Sequence, residues 1–124
     1  MVKVLVADDD KFTRYFLWKT LSKEGYEVRL VESGSEAIRK ILAQNFDVLF
    51  LDIYMGGMDG LDTISLIKRI NPEIPIVVVT GDLSPEMKDR VQRMRVSEYL
   101  TKPLDPCKVK NAVELILARN GGGI

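Results

Sequence analysis

The sequence predicts an α/β fold, a single doubly wound parallel sheet of five strands with five flanking helices. Five apolar segments alternate with five helical patterns along the 124 residues, which is typical of a parallel sheet covered on both faces. Some of the segments are continuously apolar, as expected for strands buried on both sides. A chain of this length with 46% apolar residues supplies one hydrophobic core, so we expect one domain.

The predicted strands cover residues 2–7, 26–31, 47–51, 74–80 and 97–100. The third and fourth should be central, because Val48-Leu49-Phe50-Leu51 and Ile76-Val77-Val78-Val79 contain no polar residue. The second strand alternates between apolar and polar residues and the fifth is short, so both are predicted at sheet edges. These assignments are satisfied by the strand order 2-1-3-4-5.

Helix capping signals support the same map. The segment Ser33-Gly34-Ser35-Glu36 matches a capping box, while Ser84-Pro85 and Asp105-Pro106 each place a cap before a proline at the first helical position. The last helix has an apolar stripe suited to covering the sheet, formed by Val109, Ala112, Val113, Ile116 and Leu117. A helix stop and glycines follow, so we expect a domain at residues 1–119 and a flexible tail at 120–124.

The charge balance argues against general attraction to polyanions. The chain has 18 basic and 18 acidic side chains and a net charge of zero, so we expect no direct nucleic-acid partner and no membrane partner. The basic residues of the fourth helix are interpreted as a solvated face.

Cys107 has no second cysteine to pair with, and the N-terminus lacks the apolar stretch of a signal peptide. The predicted location is the cytoplasm.

Polar side chains follow the predicted strands at the edge where such folds bind ligands. In open α/β sheets that place is the carboxyl end of the strands, beside the point where the strand order reverses. Here the point lies between strands 1 and 3. Asp8, Asp9 and Asp10 follow strand 1, and Asp52 follows strand 3. Thr80 ends strand 4 and Lys102 follows strand 5, so we expect a site built from several strand ends.

Clustered carboxylates repel one another unless a cation neutralises them. The chain has no histidine and one cysteine, so the available ligands are oxygen atoms, which favour Mg²⁺ over zinc. Mg²⁺ commonly binds a substrate phosphate as well, which makes Asp52 a candidate nucleophile that forms an aspartyl phosphate. Lys102 and Thr80 would then bind the phosphoryl oxygens. Asp10 also has a purely structural interpretation, as a helix cap.

These residues resemble the receiver domains of two-component response regulators, and the resemblance extends over almost the whole chain. Residues 5–9 resemble the family's acidic pair, residues 46–52 its phosphoacceptor strand, and residues 58–60 the turn that follows. Residues 80–81 resemble the switch hydroxyl and the small residue after it, and residues 99–103 the switch aromatic with a lysine-proline pair. The resemblance implies a flavodoxin-like fold and a phosphorelay in which a sensor histidine kinase or histidine phosphotransfer protein phosphorylates Asp52. Such a protein assists its own phosphorylation without being a conventional turnover enzyme.

The resemblance also assigns roles to individual residues. It implies that Asp9, Asp52 and the backbone carbonyl of Tyr54 ligate Mg²⁺, with Asp8 acting through water, and that the bond before Pro103 is cis. Thr80 and Tyr99 would form a switch pair that changes the surface of helix 4, strand 5 and helix 5. A downstream effector protein or domain would bind this surface, and a dimer that forms on phosphorylation remains open.

Two departures from the family pattern and several alternatives remain. Gly56-Gly57 replaces a pair that often contains proline, and Tyr54 occupies a variable position two residues after Asp52, where it would partly cover a phosphoryl group. A pseudo-receiver that only binds a partner is the main alternative. A phosphatase with an aspartate nucleophile is weaker, because Asp52-Ile53-Tyr54 lacks the second acid of a D-x-D motif. A flavin-binding protein would share the fold, but the three acids after strand 1 would repel the flavin phosphate.

Overall fold

The computed structural model describes residues 1–82 and 84–121. Five parallel strands form one sheet in the order β2-β1-β3-β4-β5, which confirms the predicted architecture. The strands are β1 (Lys3–Ala7), β2 (Glu27–Val31), β3 (Val48–Asp52), β4 (Ile76–Thr80) and β5 (Glu98–Thr101). They alternate with helices α1 (Lys11–Ser22), α2 (Gly34–Ala43), α3 (Gly60–Ile70), α4 (Pro85–Arg93) and α5 (Pro106–Gly121).

The central strands bury both faces, as their apolar runs predict. Successive side chains of a strand point to opposite faces, so Leu49 and Leu51 contribute to one hydrophobic cluster, while Val48 and Phe50 contribute to the other. The first cluster packs against α2, α3 and α4, and the second against α1 and α5. The predicted stripe of α5 lies in the second cluster, where Leu117 is only partly buried.

The predicted helix caps are present. Ser33 Oγ accepts a hydrogen bond from the Glu36 N–H at 3.2 Å, and Ser84 Oγ accepts one from the Met87 N–H at 3.3 Å. The Asp105 carboxylate accepts the Cys107 N–H at 2.7 Å. Each cap satisfies a backbone N–H group that the helix itself leaves without a partner.

Several predicted boundaries differ from the structure. β4 begins at Ile76, because Pro75 precedes it and has no N–H group for the strand ladder. α5 continues through Asn120 to Gly121, so it overlaps the start of the predicted tail, and residues 122–124 of that tail lie outside the described residues. Arg95, which the sequence pattern groups with the basic residues of the fourth helix, lies beyond α4 and has a φ of 58°. It is therefore not part of the helix's basic face.

The strand register places the expected chemical groups side by side. Ala7 of β1 pairs with Leu51 of β3, so Asp8 and Asp52 come next on adjacent strands. Asp52 pairs with Val79 of β4, and the chain reaches Thr80 one residue later.

No helix within the described ranges is long and apolar enough to cross a bilayer.

Candidate functional site

Three carboxylates meet at the carboxyl ends of β1 and β3. Asp8, Asp9 and Asp52 each offer an oxygen atom, and these atoms lie within 4.8 Å of one another. Asp8 and Asp52 are buried, with 1% and 4% exposure, whereas Asp9 faces solvent. The structure therefore brings together three of the four acidic residues that the sequence predicts at this edge, and Asp10 is not among them.

Lys102 supplies the positive charge of the cluster. Its Nζ lies 3.1 Å from Asp52 Oδ2 and 3.2 Å from Asp8 Oδ2. The backbone N–H of Lys102 donates to the carbonyl of Thr80 at 2.8 Å, and the following bond to Pro103 is cis, as the resemblance implies. Burial lowers the pKa of Lys102, but the hydrogen bond and charge of Asp52, aided by Asp8, raise it above its usual value. The ammonium therefore stays charged.

Asp8 is the least satisfied member of the cluster. Its Oδ1 accepts the Asp10 N–H at 2.8 Å, but its Oδ2 is the one buried side-chain nitrogen or oxygen atom of the described residues without a hydrogen bond. Lys102 is close to that oxygen without the geometry of a hydrogen bond. Burial, with a contribution from the charge of Asp52, raises the pKa of Asp8 to about 6. Forcing this carboxylate to be ionised is therefore costly.

The donor set fits a hard divalent cation. An under-coordinated buried oxygen lies beside two further carboxylates, and a hard cation prefers such oxygen ligands. A bound cation would also offset the repulsion between Asp8 and Asp52. The cluster of Asp8, Asp9 and Asp52 is thus suited to Mg²⁺.

The start of α1 orders the acidic loop. Asp10 caps the helix, because its carboxylate accepts the Phe12 N–H at 3.1 Å and the Thr13 hydroxyl at 2.8 Å. The structural interpretation of Asp10 is therefore correct. Arg14, which the sequence analysis did not select, donates to the carbonyl of Asp8 at 2.8 Å and pairs with Glu32 at 3.1 Å. An arginine at a helical position gives no sequence signal for such a contact.

The two predicted switch residues lie on β4 and β5 and are not members of the acidic cluster. Thr80 is completely buried at the end of β4, and its hydroxyl oxygen accepts the Asp82 N–H at 3.0 Å. Tyr99 of β5 is half-buried, and its hydroxyl donates to the Asp82 carbonyl at 3.1 Å. Both switch residues are thus bonded to the main chain of Asp82.

Tyr54 contacts the cluster through its backbone. Its N–H donates to Asp52 Oδ1 at 2.8 Å, whereas its half-exposed side chain extends to the loop after β4 and donates to the Asp82 carboxylate. That hydrogen bond raises the pKa of Tyr54 to about 12 and, as the largest cause, lowers the pKa of Asp82. The sequence analysis missed Asp82, because Gly81-Asp82 signals only a turn.

Comparison with known proteins agrees with this geometry. The family model described as the response regulator receiver domain matches residues 4–114. The transcriptional regulatory protein ZraR of Escherichia coli is 35% identical over 117 residues, covering 94% of this chain and 26% of ZraR. The chain therefore spans about a quarter of the length of that relative.

Two solved structures extend the comparison to three dimensions. The chemotaxis protein CheY4 of Vibrio cholerae has a TM-score of 0.86 at 30% identity, covering 94% of this chain and 98% of that one. The response regulator TrrA of Thermotoga maritima, solved in complex with Mg²⁺ and BeF, has a TM-score of 0.84 at 29% identity, covering 94% and 99%. The chain belongs to the response regulator receiver domain family of two-component systems, whose members are signalling modules that act with sensor kinases and effector domains.

Proposed function

We propose that Asp52 accepts a phosphoryl group in a phosphorelay and that its phosphorylation changes the surface formed by α4, β5 and α5. The donor would be a phosphohistidine of a sensor histidine kinase or of a histidine phosphotransfer protein. One observation carries the proposal: the buried carboxylate of Asp52 lies 3.1 Å from Lys102 Nζ, within a cluster of acids suited to a divalent cation. Asp9 is the exposed member of this cluster, so a donor would approach from the side of Asp9.

The transfer needs little from the protein besides position and charge. A carboxylate oxygen of Asp52 attacks the phosphorus atom and a P–O bond forms. The P–N bond to the donor imidazole breaks, and its electron pair stays on the imidazole nitrogen. Lys102 would stabilise the negative charge on the phosphoryl oxygens, because its ammonium already lies beside Asp52. Thr80, one residue beyond the strand position paired with Asp52, would bind another of these oxygens.

Asp9, Asp52 and the backbone carbonyl of Tyr54 would hold Mg²⁺, with Asp8 acting through water. The bound cation would neutralise charge on the carboxylates and on the incoming phosphoryl group. The response regulator TrrA was solved in complex with Mg²⁺ and BeF, and this similarity supports the binding of Mg²⁺ here.

A phosphodonor protein would approach over the start of α1. Phe12 is 82% exposed there, and it lines a groove of about 350 Å³ together with Phe16 and Lys102. Since Lys102 belongs both to this groove and to the Asp52 site, a helix bound in the groove would bring its histidine close to the acceptor. An exposed aromatic side chain beside such a site favours protein docking.

The test is phosphorylation by a small donor, followed by intact mass spectrometry. Incubated with Mg²⁺ and acetyl phosphate, the wild-type chain should gain one phosphoryl group and Asp52→Asn none. The control Asp62→Asn, which changes an exposed carboxylate on α3, should behave like the wild type. Labelling of Asp52→Asn at the wild-type level would refute the assignment, and an unlabelled wild type would favour the pseudo-receiver.

A further inference from the structure

Asp82 connects four residues around the proposed acceptor site. Its carboxylate accepts the Tyr54 hydroxyl and, at 2.7 Å, the Ser84 N–H. Its own N–H donates to the hydroxyl oxygen of Thr80 at 3.0 Å, and its carbonyl accepts the hydroxyl of Tyr99 at 3.1 Å. One residue thus holds both switch side chains through its main chain, and its side chain is held from two directions.

The side-chain contacts of Asp82 join separate parts of the chain. Tyr54 lies two residues after Asp52, in the segment between β3 and α3, whereas Ser84 is the N-cap of α4. The bond between Tyr54 and Asp82 therefore fixes the segment after β4 against the segment after β3. We call this bond the Tyr54–Asp82 clasp.

We infer that Asp82 is a positioning residue for the switch, and that the Tyr54–Asp82 clasp stabilises the unphosphorylated arrangement of Thr80 and Tyr99. This inference rests on the proposed function, because phosphorylation of Asp52 is the event that would open the clasp. A Thr80 hydroxyl that moves to bind a phosphoryl oxygen leaves the Asp82 N–H without its acceptor. A Tyr99 ring that moves away likewise leaves the Asp82 carbonyl without the hydroxyl that donates to it.

The clasp would oppose switching, because part of the free energy gained on phosphorylation would be needed to break the hydrogen bond between Tyr54 and Asp82. A ligand shifts a two-state equilibrium only by its differential affinity for the two states. Any interaction confined to the unphosphorylated state lowers the apparent affinity for a phosphoryl mimic. Because Tyr54 is half-exposed, we expect the effect of a modest hydrogen bond, about three- to tenfold.

The hydrogen bond between Tyr54 and Asp82 also allows a simpler interpretation. A purely local role in ordering a loop would leave Thr80 and Tyr99 unaffected when the clasp is removed. The two interpretations therefore differ in what happens at residues that Tyr54 does not bond.

The experiment compares wild type, Tyr54→Phe, Asp82→Ala and the double variant by NMR, with Tyr15→Phe as a control at an exposed tyrosine on α1. In the unphosphorylated protein with EDTA, both single variants should move the Thr80 and Tyr99 signals in the same direction. The double variant should move them no further than Asp82→Ala. With Mg²⁺, Tyr54→Phe should bind beryllofluoride about three- to tenfold more tightly than wild type, and Tyr15→Phe with wild-type affinity.

Two results would overturn the inference. One is a Tyr54→Phe protein whose Thr80 and Tyr99 signals match those of wild type in EDTA. The other is a double variant whose shifts equal the sum of the single effects, because independent effects add and coupled ones do not. If wild type fails to bind beryllofluoride, the proposed function fails, and the measurements in EDTA still decide whether the clasp holds the switch residues.

Discussion

Replacing Asp8 with asparagine is expected to stabilise the metal-free fold although it removes a carboxylate from the proposed site. Asp8 is buried and lies near the carboxylate of Asp52. Its Oδ2 has no hydrogen-bond partner among the described residues. Asparagine has nearly the same shape and no charge. It also keeps an oxygen that would accept the Asp10 N–H, as Oδ1 of Asp8 does.

The size of the effect follows from the protonation of Asp8. Burial is the largest cause of the rise in its pKa from 3.8 to about 6. At about 1.4 kcal/mol per tenfold change in the acid dissociation constant, the ionised form costs the folded state about 3 kcal/mol near neutral pH. The new amide N–H₂ would take the place of Oδ2, lose water on burial and face the ammonium of Lys102, so we expect a net gain of only about 1–2 kcal/mol. In a domain of this size that raises Tm by about 4–8 °C.

The direction in which pH changes the stability of the fold follows from the pKa of Asp8. Because the pKa of Asp8 is higher in the folded state than its ordinary value of 3.8, the folded protein binds a proton more readily than the unfolded chain. The wild type therefore gains stability from this group as the pH falls through about 6 towards 4. The advantage of Asp8→Asn should be full at pH values well above 6 and small near pH 4.

Urea denaturation in EDTA, monitored by circular dichroism at pH of about 7.5 and about 4.5, measures the gain in the free energy of unfolding and its dependence on pH. Asp62→Asn, which changes an exposed carboxylate, should alter the free energy of unfolding by no more than about 0.5 kcal/mol. If Asp8→Asn were no more stable than wild type at the higher pH, the reasoning about burial would be wrong. An advantage of equal size at both pH values would also contradict it.

Three further predictions concern metal binding, switching and packing. Mg²⁺ should raise the Tm of wild type, because a ligand of the native state stabilises it, and Asp9→Ala should reduce that rise in thermal scans. Thr80→Ala should still bind beryllofluoride but show smaller amide NMR shifts in α4, β5 and α5 than wild type; a full wild-type pattern would contradict this coupling. Gly60→Ala should lower the free energy of unfolding by about 2 kcal/mol or more in urea titrations, because a Cβ there would lie 2.3 Å from the Ile53 carbonyl oxygen. Gly56→Ala, where a Cβ meets nothing within 4 Å, is the matched control and should change it little.

The sequence was sufficient for the fold because the decisive signals are local and repeated. The apolar runs of β3 and β4 require burial on both faces, and Ser33, Ser84 and Asp105 mark helix starts through bonds to residues two or three positions away. Helix ends are less well determined. α5 continues through Asn120 into Gly121, since the apolar stripe and the glycine rule set its end only approximately.

The acidic cluster was predictable for a topological reason. Once the strand order is known, the ends of β1 and β3 must be neighbours, so Asp52 and the residues directly after β1 lie close together. The contacts of Arg14 and Asp82 have no such cause. Each depends on the direction in which a side chain leaves a helix or a loop, and neither direction is set by the sequence pattern. Tyr54 departs visibly from the family pattern, but the sequence does not identify Asp82 as its hydrogen-bond partner.

The charges of the cluster connect its metal-free structure to its proposed reaction. Three carboxylates face the single ammonium of Lys102, so negative charge is in excess while no cation is bound. Lys102 can balance only part of this charge, and it lies between Asp8 and Asp52. A phosphoryl group on Asp52 would draw the same ammonium towards its oxygens and leave the charge of Asp8 less compensated. The buried position of Asp8 makes that state costly unless a divalent cation is present, so cation binding and phosphorylation of Asp52 should be thermodynamically coupled.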